Sequence, residues 1–211
     1  MKKSFVISQQ KIGFILLKIG ITGGIGSGKS IVCKLFELLN VPVFYADTAA
    51  KNLYNQNAFL KEKLIAMFGS ELYRNDVFDK EILKKKIFQN DEKLIALNSI
   101  VHPIVIEESN RWMQAHQEFP YVIKEAALLI ESKSYLNLDE IIFIDAPVAL
   151  KIKRVTQRDQ LSEEEVLLRI KAQLADDVKK RFANHIIYND EKHLLIEQVL
   201  LLHQTFLLKR K

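Results

Sequence analysis

Leu17-Lys18-Ile19-Gly20-Ile21-Thr22-Gly23-Gly24-Ile25-Gly26-Ser27-Gly28-Lys29-Ser30 is the stretch whose reading decides the fold. Leu17 to Thr22 reads as a short buried strand. Gly23 to Ser30 fits the pattern G-x-x-x-x-G-K-[ST]. Gly23, Gly24, Gly26 and Gly28 tolerate backbone conformations that a Cβ resists, so successive N–H groups can turn inward as a nest for anionic oxygens. Ser30 to Leu39 then carries Val32, Leu35, Phe36 and Leu39 at helical spacing. The start of that helix adds a partial positive charge to the nest. Lys29 brings a full charge to the outer phosphates of a nucleotide, and the Ser30 hydroxyl suits the octahedral oxygen shell of Mg²⁺. A chance glycine-rich turn would not need a strand before it and a helix after it, so the stretch reads as a cradle for ATP phosphates.

Working outward, Asn40 and Pro42 end the first helix. Val41 to Ala46 reads as a second strand, and Asp47 stands at its C-terminal end. Three further apolar runs read as strands: Tyr121-Val122-Ile123, Ile141 to Ile144 and His185 to Tyr188. Helical patterns separate them, which predicts an α/β fold with a parallel five-stranded sheet covered on both faces. Residues from about 48 to 118 are helical in pattern without a convincing strand, and read as a helical lobe inserted between the second and third strands. A second insertion, about 155–180, is dense in charge and reads as a helical lid. Residues 1–16 read as an extension ahead of a domain spanning 17–211. Its nucleotide-binding core is expected to comprise residues 17–47 and 119–211.

The totals set bounds on function. The chain has 211 residues, 48% of them apolar and 27% charged, with a net charge of +5. That suits a soluble globular protein with one substantial core. The positive excess fits either nucleic acid or anionic small molecules. No block of five like charges is present, which argues against a nucleic-acid tail. Cys33 is the single cysteine, so an intramolecular disulfide and a cysteine zinc site are excluded, and a reducing cytoplasm is expected. Met1-Lys2-Lys3 resembles the start of a signal peptide, but Ser8 to Lys11 interrupts the apolar run and no small-residue cleavage site follows. Ile12 to Ile21 is too short to span a bilayer and carries Lys18.

Other residues have two readings each. Asp47 can accept the proton of an attacking hydroxyl or hold Mg²⁺ through water; it can also serve as a helix N-cap. Arg154 and Arg158 share a helix face and can close over phosphates; without the upstream loop they would read as an exposed charged face. Glu131 can face the crevice or cap the run before it. Asp145 can cap the segment after Pro147. His102 lies in the lobe, where a lone histidine is more often structural, and Pro103 is a residue that can open a helix. Cys33, Phe68 and Trp112 read as core.

Taken in order, Thr22 to Ser30, Ala46-Asp47, His102-Pro103, Leu128 to Glu131, Ile144 to Pro147, Arg154, Arg158-Asp159 and Gln173 resemble the dephospho-CoA kinase family over nearly the whole chain from Leu17. The loop alone is shared by many ATPases; His-Pro in a helical lobe with R-x-x-x-R-D in a lid is far more specific. The resemblance implies a three-layer P-loop NTPase fold. It also implies ATP-dependent phosphorylation of the ribose 3′-hydroxyl of dephospho-CoA, the last step of coenzyme A synthesis, with Mg²⁺ accompanying ATP. It implies Asp47 as the base, and Lys29 with Arg158 as the groups on the transferring phosphoryl. Gly24, Ile25, Gly26, Ser27, Gly28, Ser30, Ile31, Arg154 and Asn189 would contact ATP, Asn189 near the adenine. Thr22, Asp47, His102 and Glu131 would contact the acceptor. Partners other than the two substrates are not expected, neither nucleic acid nor membrane, and the chain is expected as a monomer or weak homo-oligomer. Three positions depart from the family pattern: Ile31 where Thr is usual, Ala127 where Pro is common and Asn184 where Asp is common. The competing readings are another small-molecule kinase, a GTP switch, for which N-K-x-D and D-x-x-G are lacking, and a nucleic-acid-stimulated ATPase.

Overall fold

The computed structural model describes residues 15–88 and 90–209. Residues 1–14 of the expected extension lie outside the described residues. Five parallel strands form the central sheet: β1 (Leu17–Thr22), β2 (Val43–Tyr45), β5 (Tyr121–Glu125), β6 (Glu140–Asp145) and β7 (His185–Tyr188), in the spatial order β2-β5-β1-β6-β7. β5, β1 and β6 are interior strands, and the solvent-poor run of each matches burial on both faces. β2 is an edge strand of three residues, shorter than the expected 41–46; Pro42 precedes it and has no N–H to add to a ladder.

Alternation along β5 sorts its side chains between the two faces. Tyr121 and Ile123 join Ile19, Ile21, Ile142 and Ile144 in a core closed by α1 (Lys29–Leu38) and α9 (Leu195–Leu208) through Val32, Phe36, Val199 and Phe206. Val122 and Ala126 face the other way. Ala126 belongs to the core shared with the lobe, and Val122 packs with Leu16 and Met113. Leu16, the last residue of the expected extension, is thus buried.

The helix after the loop starts at Lys29, one residue earlier than expected, because Gly28 is the last residue with a left-handed backbone. It stops where Asn40 turns left-handed at φ 60 and donates to the Glu37 carbonyl.

The inserted lobe comprises α2 (Ala46–Gln56), α3 (Ala58–Phe68), α4 (Lys80–Ile87) and α5 (Asp91–Gln114), built around Leu60, Leu64, Leu97, Val101 and Val105. It is not wholly helical. β3 (Tyr73–Arg74) and β4 (Val77–Phe78) form an antiparallel hairpin through Asn75 and Asp76, both left-handed. Two-residue strands are too short to show alternation, and an Asn-Asp pair tolerating positive φ was the only local signal. Pro103 does not open a helix: it lies inside the 24-residue α5 and withholds one rung of its hydrogen bonding. The lid segment consists of the end of α6 (Val148–Asp159), then α7 (Glu163–Lys171) and α8 (Asp176–Lys180). A capping box of Ser162 and Glu165 starts α7. No described helix is long and apolar enough to cross a membrane.

Candidate active site

The C-terminal ends of the parallel strands open on one edge, where a crevice of about 870 Å³ is bordered by Lys29, Ser30, Asp47, Glu125, Arg154 and Arg158. At Gly26 (φ 77) an added Cβ would come within 2.6 Å of the Lys151 carbonyl. At Gly28 (φ 92) it would collide with Asn189 Nδ2. Asn189, just after β7, donates from Nδ2 to the Ser27 carbonyl at 2.8 Å, and its own carbonyl accepts from Arg154 at 3.2 Å. The loop is therefore pinned from outside by a residue far along the chain.

Lys29 is buried and folds back over the loop, donating from Nζ to the Gly23 and Gly24 carbonyls at 3.0 and 3.3 Å. Burial pushes its pKa below the usual lysine value, while Glu125 and Asp47 oppose the shift. Glu125 ends β5 beside Ile21 and Tyr45 and is 6% exposed. Burial raises its pKa to about 7, with Lys29 pulling it down and Asp47 pushing it up. Lys29, Glu125 and Asp47 thus form one coupled group at the base of the crevice.

Glu125 was not among the residues singled out from sequence. It follows Lys124 directly, and two adjacent charges after Tyr121 to Ile123 look like a strand that has already ended. Its position at the C-terminal end of a parallel strand was the usable signal. Asp47 lies in the first turn of α2 and is not its N-cap, which is Tyr45. A carboxylate in a first turn is favoured by the helix dipole.

Arg154 and Arg158 both lie on α6 and border the crevice. Arg158 is largely exposed and pairs with Asp159 at 2.7 Å. That hydrogen-bonded partner holds its pKa above the ordinary arginine value. Ser30 is exposed to the crevice, and Ile31 is 52% exposed on α1.

Not all of the charges in and beside the lid form a solvated face. Lys179 is fully buried, pairs with Glu131 at 2.7 Å and donates to the Ala127 carbonyl at 2.8 Å. Lys180 pairs with Asp145 at 2.9 Å, and the buried Lys151 pairs with Asp176. Asp145 therefore anchors the lid and does not cap α6, whose N-cap is Pro147. Gln173 accepts from the Ile25 N–H at 2.9 Å, so the lid also touches the phosphate loop. Asn184 exchanges two hydrogen bonds with Ile141, the second residue of β6.

Two of the expected acceptor residues, Thr22 and Glu131, also have partners within the protein. Thr22 is fully buried and hydrogen-bonds the Ala127 carbonyl at 3.5 Å. Glu131 accepts from the Leu174 N–H as well as from Lys179, and borders a groove of about 440 Å³ beside His102 and Pro103. His102 is half-buried on α5; burial lowers its pKa and Glu131 opposes the shift. A further cavity, about 180 Å³, lies between Asp47 and His102 inside the lobe.

A phosphate nest, a lysine folded into it and a carboxylate at the next strand end, carried on a five-stranded parallel sheet, define a P-loop phosphotransferase. The dephospho-CoA kinase family model matches residues 17–194. A dephospho-CoA kinase from Bacteroides fragilis is 34% identical over 184 residues, covering 87% of this chain and 90% of its own. A Thermus thermophilus crystal structure superposes with a TM-score of 0.79 at 31% identity, over 90% of this chain and 97% of that one. The dephospho-CoA kinase of Campylobacter jejuni superposes with a TM-score of 0.69 at 27% identity, over 92% and 98%. The chain belongs to the dephospho-CoA kinase family.

Proposed function

We propose that ATP lies along the Gly23 to Ser30 loop and gives its γ-phosphoryl group to the ribose 3′-hydroxyl of dephospho-CoA, forming coenzyme A and ADP. Kinase activity on dephospho-CoA follows from membership of the family; the residue roles are inferred from geometry. The single observation that carries them is that Asp47 borders both the phosphate crevice and the cavity of the lobe.

In this reading the 3′-oxygen attacks the γ-phosphorus, the bond to the β-phosphate oxygen breaks, and the hydroxyl proton passes to Asp47. Lys29 exchanges the Gly23 and Gly24 carbonyls for phosphate oxygens, which restores full partners to a buried ammonium. Arg158 and Arg154 meet the charge spread over the transferring group. Asn189 keeps the loop in shape for the nucleotide. Glu125 sets the local field by its coupling to Lys29 and Asp47.

The site fits Mg²⁺. Ser30, Asp47 and Glu125 offer hard oxygen donors around one crevice. No group of three or more acidic, histidine or cysteine side chains able to hold a metal occurs among the described residues. Phosphate oxygens and water would therefore supply most of the shell. When bound, the ion neutralises charge on the outer phosphates. A cytoplasmic location and a monomeric or weakly associating chain accompany this reading.

An ADP-release assay with a panel of acceptors tests it. Turnover is expected with dephospho-CoA and little with nucleoside monophosphates. The reverse pattern would assign the site to the competing kinase class, and stimulation by DNA or RNA would revive the nucleic-acid reading.

A further inference from the structure

Lys124 belongs to neither the phosphate crevice nor the lid. It sits on β5 immediately before Glu125, and alternation turns its side chain to the opposite face of the sheet, beneath the lobe. It is 2% exposed. Its Nζ donates to Ser109 Oγ at 2.8 Å, and that hydroxyl donates onward to the Ile106 carbonyl. No carboxylate pairs with Lys124 among the described residues. An ammonium has three N–H donors, so two are left without a protein acceptor on a side chain almost wholly withdrawn from solvent. Burying a cation this way is costly, and burial holds its pKa down, to about 8.

Lys124 lines the 180 Å³ cavity that runs from Asp47 into the lobe. The walls are largely apolar, with Ala50, Val101, Val105 and Leu128, while Tyr54, Asn98, Ser132 and Ser134 add a few polar atoms. A ribose whose 3′-hydroxyl reaches Asp47 stands at the mouth of this cavity. Its two large substituents leave in different directions. A pyrophosphate would lose its hydration in so apolar a chamber; a planar base with apolar faces and nitrogen acceptors on its rim would not. The charged arm has the more open groove beside His102 and Glu131.

We infer that Lys124 is a specificity-determining residue, donating a hydrogen bond to a ring nitrogen of the acceptor's purine base held in this cavity. The inference rests on the functional reading above and adds to it the part of the acceptor that is read and the group that reads it.

The test compares Lys124→Met, which keeps the length and the apolar stem, with the unaltered chain. A hydrogen bond from a charged donor predicts a KM for dephospho-CoA raised by about 10- to 100-fold, with the KM for ATP moved by less than about twofold. Thermal unfolding should show the variant at least as stable, since an unpaired buried cation has been removed. Acceptor analogues in which one ring nitrogen is replaced by CH supply the second arm. One of them should be a poor substrate for the unaltered chain and cost the Met variant nothing further. An unchanged acceptor KM in a folded variant overturns the inference. So does a raised KM with every deaza analogue discriminated equally by both proteins, which would put the arm, not the base, against Lys124. Absence of dephospho-CoA turnover by the unaltered chain would overturn the functional reading and this inference together; every other outcome judges Lys124 alone.

Discussion

Between Gly23 and Ser30 the binding surface is the backbone itself, shaped by residues adjacent in sequence. Between Ala46 and Gln114 the surface is a set of side chains that meet only because helices pack. The loop depends on four glycines and one lysine within eight residues. The cavity proposed for the acceptor draws Asp47 from α2, His102 from α5 and Lys124 from β5 together. The difference teaches where each half of the site is vulnerable. The donor half fails when a local conformation is lost, and the acceptor half when a distant packing surface or a single buried polar group is changed.

The sharpest break of the donor half is Lys29→Ala. It removes the charge for the outer phosphates, and kcat/KM for ATP is expected to fall by roughly a thousandfold. Steady-state kinetics with ATP as the varied substrate checks this, and a fall of less than about tenfold would take Lys29 out of the transfer step. Asp47→Asn should separate the halves. Turnover drops by about a hundredfold while ATP affinity, read by equilibrium titration, stays nearly unaltered. Equal losses in both would mean that Asp47 shapes the nucleotide site instead.

Lys179→Met probes the seam between lid and core. It leaves the partly buried Glu131 without its cation and should cost about 2 kcal/mol in denaturant unfolding, less than a fully enclosed pair because Glu131 is 21% exposed. Glu125→Gln has the smallest expected effect, visible only as a slope. Burial raises the carboxyl from 4.5 to about 7, so its contribution to stability is full below about pH 4.5 and is lost as pH rises through about 7. The Gln variant should match the unaltered chain at pH 5 and hold a higher Tm above pH 7. Parallel Tm-against-pH curves would show that Glu125 is not the group responsible.

How far each region was legible follows from the range of the forces that build it. The strands β1, β5, β6 and β7 and the helix after the loop were readable because apolar periodicity is a local property of a buried strand or helix face. The hairpin β3–β4 was not, since two residues per strand leave no period to detect. Glu125 was missed because adjacency to Lys124 hid that the strand ran two residues further. Once parallel pairing is known, Glu125 and Lys124 separate: one faces the loop helix, the other the lobe.

By itself the sequence determined the phosphate cradle and the strand–helix alternation that supports it, because backbone freedom at glycine and the period of apolar residues are written residue by residue. It also carried the resemblance that points to the acceptor. Only the tertiary structure decided that Asp47 borders two chambers, that Lys179 is a buried anchor paired with Glu131, that Thr22 is fully buried, and that Lys124 lies beneath the lobe with no carboxylate partner among the described residues. Those are facts of burial and partnership between residues far apart in the chain, and no local pattern encodes which distant group will take a charge out of water.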